Sequence, residues 1–154
     1  MPLTWTLDAR APEEDLQVVA EGVFSHGRAQ ARYGYDLERH RTGEHFHAHV
    51  ALSGSQYAGF ALVCPAWVTR SRGRWMEQFF VLKRFRRQGV GFSLARHVLD
   101  HHPGAWEVGQ MTANTTAQAF WRQTISALTN GAFVEFVVKE GQSRGAKVIT
   151  LSPI

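Results

Sequence analysis

Residues Phe79 to Phe92 read FFVLKRFRRQGVGF. An aromatic, apolar run passes into a turn carrying Lys83, Arg84, Arg86, Arg87 and the glycines Gly89 and Gly91, and an apolar helical pattern begins at once beyond it. The first N–H groups of a helix have no partner inside it, and glycine lets an anion approach them closely. Cationic side chains beside such a turn fit a phosphorylated ligand, a diphosphate in particular. Glu77 lies just before the run, the one acid among eight Lys and Arg residues between Arg70 and Arg96. It reads as a general base or as the ion-pair partner of Arg72 or Arg74. His45, His47 and His49 alternate and share one face of a strand, a geometry that can gather imidazoles around zinc or set one beside a substrate. No fourth ligand is evident. His97 and His101, four apart on a helix, suit a solvated face.

The elements that must position these residues follow from hydrophobic period and breakers. Leu3 to Leu7 reads as a strand, and Pro12 to Val23 as a helix with proline early and acids in its first turn. Arg28 to Gly43 is polar and reads as a short helix and loop. Phe46 to Leu52 and Tyr57 to Val63 are strands joined at Ser53-Gly54-Ser55, a hairpin signal. Trp75 to Leu82 is a buried strand after a basic loop with Trp67. Gly91 to His101 is a helix stopped by Pro103-Gly104. Trp106 to Thr112 is a strand and Thr115 to Leu128 a helix. Phe133 to Lys139 and Lys147 to Leu151 form a closing hairpin. The order β, α, α, β, β, β, α, β, α, β, β implies an α/β fold with a mixed sheet and a parallel crossover through the central helix.

Bulk properties narrow the function classes. A length of 154 residues and no internal repeat or linker imply a single domain, 1–154. The apolar runs are far shorter than a membrane helix needs, and the N-terminus lacks the apolar core of a secretory signal. With the single Cys64, which reads as a small core residue, this places the chain in a cytoplasmic setting. The net charge of +4 concentrates in the middle of the chain. That favours a local anion site over a nucleic-acid surface, and neither nucleic acid nor membrane is expected as a partner.

The turn resembles the central signature of the GNAT superfamily of acetyl-CoA-dependent N-acetyltransferases, Q/R-x-x-G-x-G/A, as Arg86-Arg87-Gln88-Gly89-Val90-Gly91. The approach Val81-Leu82-Lys83-Arg84-Phe85 fits as well, with Lys83 where proline is common. A second family element, Asn-x-x-Ala-x-x-Phe-Tyr, stands as Asn114-Thr115-Thr116-Ala117-Gln118-Ala119-Phe120-Trp121. The resemblance spans about residues 45 to 139 and is nearest to a bacterial group of predicted acetyltransferases whose substrate is unnamed.

The resemblance implies a GNAT-like mixed central sheet of about seven strands with four helices, the fourth and fifth strands splayed so that Val81 and Thr112 line a gap. It implies acetyl-CoA as cosubstrate, held by Arg86, Arg87, Gln88, Gly89, Val90, Gly91 and Phe92, chiefly through backbone N–H groups on its diphosphate. Phe80 and Val81 would pair with the pantetheine arm as an added strand, Asn114 would hydrogen-bond it, and Trp121 would lie beside it. Glu77 occupies the position of an acid that relatives use as base, and the Val81 N–H would steady the oxyanion. Tryptophan at 121 cannot protonate a thiolate as the family's tyrosine does. Tyr33 or Tyr35 would have to supply that acid, or water would. Tyr33, Asp36 and Glu38 stand where acceptors meet relatives. The resemblance needs no metal. It implies an amine of a small molecule or peptide as acceptor and allows a homodimer. The alternative is a non-catalytic coenzyme A binding module of the same fold, favoured by Trp121.

Overall fold

The computed structural model describes residues 3–7, 45–54, 56–66, 73–111, 113–139 and 144–151. The helix expected at Pro12 to Val23 and the segment Arg28 to Gly43 lie outside them. The chain forms two compact units, Met1–Cys64 with Gln78–Leu94, and Pro65–Glu77 with Ala95–Ile154.

In the first unit the strand order is β1-β2-β3-β4, from β1 (Leu3–Leu7), β2 (His47–Ser53), β3 (Gln56–Pro65) and the later residues of β4 (Arg74–Val81). β1 and β2 pair antiparallel from Leu3↔Ser53 to Leu7↔His49. β2 and β3 pair antiparallel, and the register slips where Ala51 faces Gly59 but Leu52 faces Tyr57, leaving Ala58 as the extra residue of a bulge. Residues 58–64 are all buried, so this part of β3 is covered on both faces and reads as one apolar stretch. Ala48, Val50, Phe60 and Leu62 form the core, with Leu52, Tyr57 and Phe80 against it.

Gly59 admits a close approach of β4. A Cβ there would stand 2.5 Å from the Phe80 carbonyl oxygen and 3.3 Å from Val81 Cα. Both are main-chain atoms, so the strands themselves would have to move. Gly59→Ala is expected to lower stability by about 1–3 kcal/mol, an overpacking cost, read as a lower midpoint in urea denaturation.

In the second unit the order is β4-β5-β7-β6, from the early residues of β4, β5 (Trp106–Gln110), β7 (Lys147–Leu151) and β6 (Phe133–Val137). β4 and β5 are parallel, paired at Arg74↔Trp106 and Trp75↔Glu107. Arg74 N–H donates to the Ala105 carbonyl at 2.9 Å just before that ladder. β5 with β7 and β6 with β7 are antiparallel, from Trp106↔Leu151 to Gln110↔Lys147 and from Phe133↔Leu151 to Val137↔Lys147. The fold is thus α/β with a mixed sheet, as expected. β5 ends at Gln110 and β6 at Val137, two residues short of the expected ends.

Among the described residues the α-helices are α1 (Val90–His101) and α2 (Thr115–Thr129). Along α1, Val90, Leu94, Ala95, Val98 and Leu99 are buried, an apolar stripe at helical spacing. α2 buries Trp121, Thr124, Ile125 and Thr129 and ends at Asn130 in the left-handed region (φ 54). Arg122 of α2 grips Glu135 of β6 through Nε at 3.1 Å and a second nitrogen at 2.7 Å. Lys147 Nζ lies 3.2 Å from the same carboxylate. The Arg122 hydrogen bonds, foremost, hold the Glu135 carboxyl below its ordinary value. No helix among the described residues is long and apolar enough to cross a membrane.

Candidate functional site

The turn between β4 and α1 is built inside the first unit by alternating backbone hand. Lys83–Phe85 make a 3-10 turn, and Phe85 N–H donates to the Leu82 carbonyl at 2.9 Å. Arg86 is extended (φ -71, ψ 155). Arg87 then takes φ 61 and Gly89 φ 80, the residues of positive φ in this turn. Such reversals turn successive N–H groups toward one concavity, an anion-binding nest. Gly89 adopts this conformation without strain, whereas Arg87 accepts a cost of about 1–2 kcal/mol for a left-handed L-residue. Ser93 N–H makes the first helix-type bond, to the Gly89 carbonyl at 3.0 Å. The N–H groups of Val90, Gly91 and Phe92 come before it and have no acceptor within the helix. Nothing lies within 4 Å of where a Gly89 Cβ would stand, so the turn is open there.

The side chains of the turn divide their work. Gln88 Nε2 donates to the Arg84 carbonyl at 2.9 Å, bracing the 3-10 turn. Arg86 Nε donates to the Val81 carbonyl at 2.9 Å, and its guanidinium lies over the Phe80 ring, 5.4 Å from the centroid. Arg84 similarly covers Phe85 at 5.0 Å. Lys83, Arg84, Arg86 and Arg87 are all exposed. Val90 is buried, Gly91 half-buried and Phe92 exposed.

At the end of β4, Leu82 N–H donates to the Ala58 carbonyl at 2.9 Å. The Phe80 carbonyl faces Gly59, and the Phe80 ring packs on Phe60 at 5.6 Å. The main-chain groups of a strand residue alternate in direction with those of its neighbours, so the N–H and C=O of Val81 point away from β3. The expectation that both Phe80 and Val81 present main-chain groups to a ligand therefore narrows to Val81.

The second unit holds Glu77, Asn114 and Trp121. Glu77 is half-buried, beside buried Met76. Alternation puts it on the strand face of Trp75, whose indole ring covers Gly109 of β5. Two residues before Gly109 stands Glu107, only 1% exposed. One acid between Trp106 and Val108 leaves no periodic signal in the sequence; its burial inside an apolar strand marks it. Trp121 is 5% exposed and meets Phe120 edge to face at 5.1 Å.

Asn114 proves to be the N-cap of α2, its Oδ1 accepting from Ala117 N–H at 3.1 Å. The residue is exposed, and its amide nitrogen is a separate donor. Asn114→Ala is expected to lower stability by about 1 kcal/mol, the usual worth of a cap. Asn114→Asp keeps the capping oxygen and holds the denaturation midpoint while removing the amide donor. Thermal melts of the two variants separate capping from any ligand contact.

His49 is fully buried and His47 half-buried in β2, while His45 is exposed. Among the described residues no group of three or more His, Cys, Asp or Glu is placed to hold a metal ion. His97 is half-buried rather than fully solvated, and its ring stacks near His101 at 6.0 Å. Burial, then the neighbouring His101, lower its pKa below the usual imidazole value, against the pull of Asp100. Cys64 is buried, as a core residue should be. Thr112, Tyr33, Tyr35, Asp36, Glu38, Trp67, Arg70 and Arg72 lie outside the described residues.

Residues 11–125 match the model of the acetyltransferase (GNAT) family. No curated protein matches the chain. Three solved structures are similar to it. An acetyltransferase of the GNAT family from Bacillus cereus shares 16% identity over 100% of this chain and 99% of its own, with a TM-score of 0.70. The ribosomal-protein-S18-alanine N-acetyltransferase from Escherichia coli shares 16% over 99% and 94%, with a TM-score of 0.67. Arabidopsis thaliana NAA60 in complex with acetyl-CoA shares 10% over 98% of each chain, with a TM-score of 0.62. At these identities the likeness is one of fold.

Proposed function

The chain belongs to the acetyltransferase (GNAT) family, and from that premise we propose that it is an acetyl-CoA-dependent N-acetyltransferase working as one domain on an amine of a small molecule or peptide. The observation that carries this reading is the open nest at Arg87–Gly89 leading into the N-terminus of α1. Its N–H groups suit a diphosphate, and the exposed cations of the turn add attraction at a distance. The Arabidopsis relative named above was solved with acetyl-CoA, which agrees with that choice of cosubstrate.

The chemistry asks for few groups. A free alkylamine has a pKa near 10 and must lose a proton to attack. Glu77 accepts that proton, directly or through water, as the amine nitrogen bonds to the acyl carbon. The Val81 N–H donates to the carbonyl oxygen as negative charge gathers on it. Collapse breaks the carbon–sulfur bond, and the amide and the thiolate of coenzyme A leave. Trp121 supplies no acidic hydrogen for that thiolate. Since a thiol has a pKa of about 8.5, the thiolate is a tolerable leaving group and takes its proton from water.

The decisive experiment is calorimetric titration with acetyl-CoA, followed by release of free thiol across a panel of primary amines and peptides. Saturable binding and amine-dependent thiol release support the enzyme. Buried Trp121 favours a second reading, a coenzyme A binding module without turnover, which predicts binding with no thiol above background.

A further inference from the structure

We propose that Arg86 is a positioning residue for the acyl carbonyl, acting through the main chain of Val81, and that its side chain does not hold the diphosphate. This rests on the reading above, in which an acyl-thioester arm lies along the end of β4. The peptide unit between Val81 and Leu82 is pinned at both edges. Its N–H donates to the Ala58 carbonyl at 2.9 Å, and its oxygen accepts from Arg86 Nε at 2.9 Å. The next unit back carries the Phe80 oxygen that faces Gly59, so its N–H, that of Val81, points away from β3. Stacking of the guanidinium on Phe80, 5.4 Å from the ring centroid, fixes the clamp in a second direction.

The consequence is chemical selectivity along one short edge. Val81 offers a main-chain donor there, while the acceptor of the same residue is already engaged. An arm laid against this edge can give Val81 an oxygen, but an N–H of its own would have to share the Val81 carbonyl with Arg86. A thioester carbonyl, which has an oxygen and no N–H, meets that condition. Arg86 thus ends strand pairing at Val81 and leaves its N–H aimed at an acyl oxygen. A diphosphate contact through the Arg86 Nε–H would require it to give up the Val81 carbonyl.

The test uses the whole chain, unlabelled coenzyme A, and acetyl-CoA labelled with carbon-13 at the acyl carbonyl. Arg86→Met keeps an apolar stem over Phe80 and removes the donor. Isotope-edited infrared spectra are expected to show the bound carbonyl stretch below its free value in the native protein, and most of that shift lost in Arg86→Met. Calorimetry is expected to show acetyl-CoA binding weakened about fivefold, the worth of one hydrogen bond, with coenzyme A itself changed less than about twofold. Arg86→Lys, which retains charge and a donor, restores part of the shift and serves where the methionine variant folds poorly. Equal weakening of both ligands, with the carbonyl shift intact, overturns the proposal and returns Arg86 to the diphosphate. Failure of the native protein to bind acetyl-CoA overturns the underlying reading instead.

Discussion

Gly89→Glu is expected to weaken acetyl-CoA binding by about a hundredfold or more, measured by calorimetry. Two effects act together. At φ 80 the backbone is in the region open to glycine, and an L-residue there costs about 1–2 kcal/mol. The turn either carries that strain or relaxes and loses its reversed hand. The larger effect is charge. A carboxylate some 4 Å from a phosphate is worth about 4 kcal/mol of repulsion at an effective dielectric near 20, more than a hundredfold in affinity. No steric clash contributes, because the space around a Gly89 Cβ is open. Gly89→Ala shares the backbone cost without the charge and should lose about tenfold. Native affinity in both variants would remove the diphosphate from this turn.

Glu77→Gln is expected to cut amine-dependent thiol release by about a hundredfold to ten-thousandfold, the range for loss of a general base, with acetyl-CoA affinity unchanged within about twofold. The amide keeps the size and polarity of the side chain but cannot take a proton. The residual rate should climb with pH, about tenfold per unit below the amine's own pKa near 10, because more of the amine then arrives already neutral. A steady-state pH profile on both proteins checks this. If the variant matches the native rate at neutral pH, Glu77 has a structural role, and buried Glu107 becomes the next acid to test.

Much of the described fold was legible because its determinants are local. The strand Lys147 to Leu151 has its expected bounds. α1 starts one residue and α2 ends one residue beyond expectation. Hydrophobic period and the breakers Pro103 and Gly104 carry that information. The insertion of β7 between β5 and β6 was not legible, since a hairpin pattern does not say which arm meets the older sheet. The site divides in the same way. Gly89 is marked by residue type. The left-handed conformation of Arg87 is not, because nothing local favours positive φ in arginine. The burial of Glu107 depends on where other segments lie, whereas the turning back of Arg86 onto Val81 and the capping by Asn114 are local bonds, five and three residues long.

The reversed hand at Arg87 is set by the backbone of the turn. On the proposed function that turn grasps the diphosphate, which acetyl-CoA and spent coenzyme A have in common. On the proposed function the cradle therefore holds product as readily as substrate, and only the short contact at Val81 tells them apart. Spent carrier is then expected to compete with charged carrier for the same turn, seen as inhibition by coenzyme A that excess acetyl-CoA relieves.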